Sequence, residues 1–565
     1  MHQSQVIVSP GQSGRLYRVR NSFRSHVPGN PTTDDCPGKH VDDETYVGQS
    51  RPGREEHPIC SVSAGTNAIE PGLNGDIAAG ERFEMPNAAD GDLSMRRLLA
   101  YSFHYTWTKP GSSEGLYREA MSYRFGRLHQ VDIIKYPSPT DKAAFEGEGS
   151  GEALYGLPRE VRYCKKCIIS NQRPNSTIEL KNRPGLLKTT ISFDEERVCD
   201  ACRFTEKKTV EINWVERDEQ LQALCDAFRK SDGSYDCIVP GSGGKDSFYA
   251  SHILKNKYGM HPLTVTWAPH IYTDWGWRNF QSWIHAGHDN YLMTPNGRVH
   301  RLLTRLSTEL LLHPFQAFMF GQKFLAPKMA DLFNIPLVFY GENEAEYGNP
   351  IGDTSSALRS DDFYSFDNLS DVRLGGVAFD DLISHFGVEK NDLMPYLPAP
   401  RSTLSEKDIQ VHYLGYYLRW HPQSAYYYAV DNGGFEASPE RTPGTYSKYN
   451  SIDDRIDDLH YYTTGAKFGI GRASYDGAQE IRSGDIDRAE GVELVKKFDH
   501  EYPDRFMPEL LKYLSLPSEE FPEASAMFEQ PIMDREYFEM LVDSFRSPHL
   551  WKWDGNWQLR HPIEG

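Results

Sequence analysis

At 565 residues and a formal net charge of −19, the chain is long enough for two to four domains and too acidic for a protein held on nucleic acid by phosphate contacts. No apolar run approaches the roughly 20 residues a membrane helix needs, and eight cysteines in so long a chain do not make a disulfide scaffold. The first residues lack a basic start and an apolar stretch, so the expectation is a cytoplasmic enzyme without a membrane span.

Residues 1–157 are rich in Gly, Pro, Ser, Asp and Asn and show little periodicity, apart from residues 95–107, which could form one strand or short helix. Such a composition does not offset its ordering entropy, so the stretch reads as a partly disordered extension with no assigned function. Cys36 and Cys60 stand alone in it. Residues 158–208 are different. Cys164 and Cys167 are followed, after 31 intervening residues, by Cys199 and Cys202. Two such pairs supply four thiolates for a closed, structural Zn2+ site, and the piece reads as a zinc ribbon with a strand near residues 189–193. Two disulfides or an iron–sulfur cluster are the alternatives.

Residues 209–350 alternate between helical and strand patterns. A linker helix over 210–230, on which Cys225 reads as core, precedes a short apolar strand ending at Pro240. After it come a Gly/Ser-rich turn and a helix over 248–257. Strands follow at 261–267, 291–294 and 337–340, with helices at 278–286, 299–312 and 315–333, the last broken at Pro327. This alternation predicts an α/β fold with a doubly wound parallel sheet, whose ligands gather at the carboxyl ends of the strands. Trp267, the loop 272–278 and the turn at Gly341 and Glu342 then belong near the Gly-rich turn. Glu342, Glu344 and Glu346 read either as contacts for magnesium or ammonia, or as a solvated loop.

Residues 351–565 are expected to hold an acidic, loop-rich insertion (353–400) and a mostly helical, aromatic-rich substrate region. Helices are predicted over 473–500 and 505–515, and the tail at 546–561 is too aromatic to be a disordered end. Residues 444–462 mix aromatic, carboxylate and amide groups, including Tyr446, Lys448, Asn450, Asp453, Asp454 and His460. The mixture suits a sugar, whose ring faces stack on aromatics and whose hydroxyls donate to carboxylates; a charged helix–helix surface would read the same. Arg301 and Arg305, one turn apart, are candidates for an anionic group of a substrate or are surface charges.

The turn itself runs Pro240-Gly241-Ser242-Gly243-Gly244-Lys245-Asp246-Ser247. Flexible residues where strand becomes helix leave N–H groups facing an anion, at the positive end of the helix. It is not a Walker A loop, because Lys245 is followed by Asp246. The plain alternative is a structural turn with Asp246 capping the helix. The run resembles the PP-loop of ATP pyrophosphatases. That resemblance implies that Ser242, Gly243, Gly244 and Ser247 cradle the pyrophosphate of ATP, Lys245 neutralises it and Asp246 helps hold Mg2+.

Together with the cysteine pairs, residues 294–297, 313–316 and 340–343, the run 444–464 and the stretch Arg546-Ser547-Pro548-His549-Leu550-Trp551, the loop resembles the N-acetyl sugar amidotransferases of surface-polysaccharide biosynthesis, the WbpG- and PseA-like group. The resemblance spans residue 160 to the C-terminus and leaves residues 1–157 uncovered. It implies ATP-dependent conversion of an N-acetyl group on a nucleotide-linked or free sugar to an acetamidino group, through an adenylated imidate, in lipopolysaccharide O-antigen or nonulosonic acid synthesis. No glutaminase nucleophile is evident: neither Cys225 nor Cys237 lies in a Gly-x-Cys-x-Gly turn. The analogy therefore implies separate ammonia-supplying subunits similar to the glutaminase and cyclase of histidine biosynthesis. A tRNA thiolase, the first alternative, would want sulfur-carrying cysteines after Cys237 and a basic face, and the chain has neither. An ATP-dependent ligase forming an ordinary amide shares the activation chemistry. An interaction protein with a dead nucleotide fold is disfavoured by the intact Lys245 and Asp246.

Overall fold

The computed structural model describes residues 133–147, 149, 151–349 and 356–564. Residues 95–107, Cys36 and Cys60 lie outside them. Five strands form one parallel sheet: β1 (Cys237–Pro240), β2 (Pro262–Trp267), β3 (Asp289–Met293), β4 (Leu337–Tyr340) and β5 (Gln410–Tyr413), in the order β3-β2-β1-β4-β5. The helices that matter for the site are α1 (Asp200–Val210), α2 (Trp214–Phe228), α3 (Lys245–Asn256), α4 (Asp274–His285), α5 (Gly297–Leu311), α6 (Gln316–Phe333), α7 (Asp457–Phe468) and α8 (Arg472–Ser483).

The strands are apolar because both sheet faces are covered, as parallel sheets require. In β1, Ile238 joins a core with residues of α5 and α6, such as Leu302, Leu306 and Phe324. Its neighbours Cys237 and Val239 pack on the other side, with Leu221 and Cys225 of α2 and Leu254 of α3. Cys225 and Cys237 are thus buried core residues, in keeping with the reading of Cys225. The order reverses direction between β2-β1 and β4, which opens a crevice at the carboxyl ends of β1 and β4.

Three features depart from the expectations. First, α6 runs unbroken through Pro327. A proline frees the carbonyl four residues back, here that of Lys323. The Tyr340 hydroxyl donates to that oxygen at 3.2 Å and to the Gln322 carbonyl at 3.0 Å, so the lost bond is replaced. Second, the sheet does not end with β4. β5 pairs with it, Val338 opposite Val411, after the insertion has returned to the edge. Third, the helical stretch expected at 473–500 is two helices, α8 and Arg488–Phe498, with Gly484 in the left-handed region ending the first.

Part of the stretch expected as an extension is packed, from Ile134 on. Ile134 bridges to Phe528, Tyr136 meets Tyr537 edge-on at 4.8 Å, and Phe145 meets Trp557 at 4.9 Å. These contacts dock the segment onto the C-terminal region, whose aromatic tail is itself folded into a hairpin, Trp551–Trp553 with Trp557–Leu559. No helix among the described residues is long and apolar enough to cross a membrane.

Candidate active site

A cavity of about 700 Å³ lies at the carboxyl ends of β1, β2 and β4. It is walled by the Gly-rich loop with the sheet, by residues 169–201 between the two cysteine pairs, by residues 311–325 of α5 and α6, and by residues 449–482 from α7, α8 and the turn before them, with Trp420, Pro422 and Phe435.

The loop is shaped by its glycines. Gly243 has φ +89°, and a side chain there would meet the Phe280 backbone of α4 at 2.6 Å; one on Gly241 would meet Ser247 at 2.1 Å. Gly244 is the N-cap of α3 and supplies no side-chain cap. The N–H groups of residues 242–244 donate to no backbone acceptor among the described residues. An uncapped helix start with free N–H groups is an anion cradle. Lys245 is buried beside it and donates to Asp246 at 2.5 Å, so Asp246 faces the lysine rather than capping the helix. The other Asp246 oxygen, Oδ1, is buried without a partner. Across the cavity mouth Glu342 accepts from the Tyr347 hydroxyl. Burial, and the Asp246 carboxylate after it, push the Glu342 carboxyl above its usual range. Two facing carboxylates, one with an orphan oxygen, fit a divalent cation bridging to phosphate. Of the acidic trio only Glu342 faces the cavity: Glu344 pairs with Arg359 at 3.3 Å and Glu346 with Lys208 at 2.6 Å.

The opposite wall is brought in by an anchor. Asp454 accepts from the His270 ring at 2.7 Å and from the backbone N–H groups of His270 and Ile271. Thr273 N–H donates to the Asp453 carbonyl at 3.1 Å, and Gly276 leaves room for the Asp453 backbone. The loop after β2 thus grips residues 452–455 and sets the Asp453 carboxylate against the Ser242 hydroxyl. Asp457 follows at the start of α7, 4% exposed and facing the cavity. Burial first, then Asp453, hold its carboxyl well above the usual range.

The far end is basic and lies under the segment 169–191. Glu179 sits among Lys323 at 3.4 Å, Gln316 at 3.1 Å and His313 at 3.9 Å. Burial alone would raise its carboxyl, but these partners outweigh burial and hold it at about 2. Lys467 is buried, donates to the Leu311 carbonyl at 2.7 Å, and is pushed down to about 7 by burial and by Lys188. His460 stacks on His313, ring centroids 5.3 Å apart, with its Nδ1 unpartnered, and burial keeps it well below its ordinary value.

The cavity therefore gathers Ser242, Gly244, Lys245, Asp246, Ser247, Trp267, Gly341, Glu342, Asn450, Asp453 and His460 from the expected set. Gly243 shapes the loop from behind it. Trp267 lies against Gly321 and meets Tyr396 at 5.4 Å. Besides Gly243, five residues expected at the substrate do not line it. Arg305 is fully buried on Glu309 at 2.7 Å and on the carbonyls of Leu514, Pro531 and Gln530. Arg301 is engaged by the carbonyls of Tyr513 and Ser515 and by Glu520. Both guanidiniums clamp later chain onto α5, Arg305 through four of its five N–H donors and Arg301 through three. Tyr446 donates to Glu480, Lys448 to the Pro439 carbonyl, and Asp454 is spent on the anchor. Asp457, Glu179, Lys188, Lys323 and Lys467 were not singled out from sequence; a lone charge on a helix or loop carries no motif.

The four cysteines are buried together. Their sulfurs lie within 4.8 Å of one another, with Cys164–Cys202 at 3.8 Å and Cys167–Cys199 at 3.7 Å. Zinc bonds of about 2.3 Å in a tetrahedron put sulfurs about 3.8 Å apart, so the set fits that ion. Backbone N–H groups of Cys167, Cys199 and Cys202 point at the sulfurs, and Arg482 reaches from α8 to Cys167 at 3.9 Å.

Among known proteins, the chain is 31% identical over 78 residues to the uncharacterized protein MJ1599 of Methanocaldococcus jannaschii, a stretch covering 14% of this chain and 27% of that protein. The chain thus spans about a quarter of the length of this curated relative. Residues 443–563 match the family described as LPS biosynthesis protein WbpG-like, C-terminal domain. That match contains the wall bearing Asp453, Asp457 and His460.

Proposed function

We propose that the chain is an ATP-dependent amidotransferase that converts an N-acetyl group of a sugar, nucleotide-linked or free, to an acetamidino group. The observation that carries the reading is the composition of one cavity. It holds an open anion cradle with Lys245 and Asp246 on one wall, and a polysaccharide-biosynthesis domain on the other. An acetamide is a poor electrophile because its nitrogen donates into the carbonyl. Attack of the acetamido oxygen on the α-phosphate of ATP forms a P–O bond and breaks the bond to pyrophosphate, which leaves with the amide N–H proton, giving an adenylated imidate. Ammonia then forms the C–N bond as AMP leaves.

The protein's share is positioning and charge neutralisation. The N–H groups of 242–244 and Lys245 take the departing pyrophosphate, and Asp246 with Glu342 would hold Mg2+. Trp267, Asn450, Asp453 and His460 offer a ring and hydrogen-bonding groups to the sugar. Zn2+ on Cys164, Cys167, Cys199 and Cys202 would brace the segment that roofs the basic end. Ammonia would come from glutaminase and cyclase-like partners in the cytoplasm. The test is pyrophosphate release from ATP with ammonium chloride and a panel of UDP-linked diacetamido sugars. Sugar-dependent release with a product about one dalton lighter, as NH replaces O, is expected; ATP turnover stimulated only by tRNA would favour a thiolase instead.

A further inference from the structure

The Asp453–Asp457 wall carries a second inference, which rests on the amidotransferase reading. Asp457 is 4% exposed and lines the cavity, yet its carboxylate makes no side-chain hydrogen bond or ion pair among the described residues. Burial favours its neutral form, and a cation entering the cavity beside it would favour the ionised one. The cations nearby are committed. Arg472 holds Asp476 at 3.0 Å and lies over the Tyr461 ring at 4.0 Å, and Lys245 is on Asp246. Asp453, four residues earlier, acts on it electrostatically, and both line the same cavity as Ser242, Gly244 and Lys245 of the loop.

We propose that Asp457 is the ammonium site of this cavity: it pairs with the incoming ammonium ion and takes one of its protons as the C–N bond forms. The chemistry of the second step asks for such a group. Ammonium has no lone pair and does not attack. Burial disfavours both charged forms, so transfer of a proton from nitrogen to the Asp457 oxygen turns an ion pair into a neutral pair at little cost. The freed lone pair bonds to the imidate carbon, the C–O bond breaks, and its electrons leave on the AMP phosphate. A second proton moves from the new nitrogen to the imidate nitrogen. The products are an amidinium cation, AMP as its dianion and protonated Asp457, which balances atoms and charge. The same wall then faces a cationic product, whereas the acetamido substrate was neutral.

The test compares wild type with Asp457→Asn and Asp457→Glu, each with ATP and a UDP-linked diacetamido sugar, using either ammonium chloride or hydroxylamine as nucleophile at pH 7. Hydroxylamine is neutral there and needs no base to expose its lone pair. Asp457→Asn is expected to lower ammonium-dependent product about 10²-fold and to leave hydroxylamine-dependent product and sugar-dependent pyrophosphate release within about threefold. Asp457→Glu, which keeps the charge, should recover part of the ammonium rate, and melting temperatures of all three proteins check that the fold is intact. Equal losses with both nucleophiles, or no loss with ammonium, would overturn the assignment of Asp457. Absence of sugar-dependent pyrophosphate release in the wild type would instead overturn the amidotransferase reading, and this site with it.

Discussion

The Arg305 cluster and the Gly-rich loop are both buried, charged and built on a helix, and they differ in what their polar atoms have left to give. The Arg305 guanidinium binds one carboxylate and three carbonyls, and its side chain is fully enclosed. Four of its five N–H donors serve the fold. Among the described residues, one oxygen of Asp246 at the loop has no partner, the N–H groups of 242–244 have no backbone acceptor, and Asp457 on the lining of the same cavity has no side-chain hydrogen bond or ion pair. A satisfied buried charge holds elements together, whereas an unsatisfied one facing a cavity marks where a ligand's charge belongs.

Substitutions can break this contrast. Arg305→Ala removes the partner of buried Glu309 and of three buried carbonyls, and should destabilise the protein by about 3–5 kcal/mol in denaturant unfolding, with the activity of the folded fraction unchanged. A large loss of activity in protein that unfolds like wild type would put Arg305 in the site after all. Lys245→Ala should do the reverse. Turnover falls about 10²–10³-fold, while the unfolding midpoint stays close to wild type, because Lys245 is bonded only to its neighbour Asp246. Loss of stability without loss of turnover would make the loop a structural turn.

Lys467 sharpens the comparison because it belongs to both classes. It holds the Leu311 carbonyl and faces the cavity, with its pKa pushed from 10.5 to about 7. Between those values the unfolded chain binds the proton and the folded one does not, so this lysine makes stability rise with pH from about 7 to about 10. Below pH 7 both states are protonated and the penalty of the buried charge is fully present. Unfolding free energies at pH 7 and pH 9 should therefore differ less in Lys467→Met than in wild type. An unchanged difference would show that Lys467 keeps its charge in the folded protein.

The legible parts of the chain share one property, that their signal is local. Strand–turn–helix with Ser-Gly-Gly-Lys-Asp-Ser reads as an anion cradle because six neighbours in sequence are also neighbours in space. The two Cys-x-x-Cys pairs carry their meaning in the spacing within each pair, and α5 and α6 follow from apolar periodicity. Where reading failed, a distant group intervened. Pro327 breaks nothing because Tyr340 caps the freed carbonyl. β5 was hidden in an aromatic run because its alternation, Val411 and Tyr413 against Gln410 and His412, is only four residues long. Arg301 and Arg305 had the right charge and spacing for an anion, and nothing local says that carbonyls from residues 513–531 consume them.

What the amino-acid order decided alone is therefore a Gly-rich turn between strand and helix, two cysteine pairs that come together and an α/β alternation that sets the turn at a sheet's carboxyl edge. Tertiary structure decided which charges remain free. Asp453 faces the loop while Asp454 anchors, and Asp457 stays unpaired while Asp476 is taken by Arg472. The physical reason is that a charge's role depends on whether its hydrogen-bonding capacity is spent. The partners that spend it, such as His270 for Asp454 and the Leu514 carbonyl for Arg305, lie about two hundred residues away.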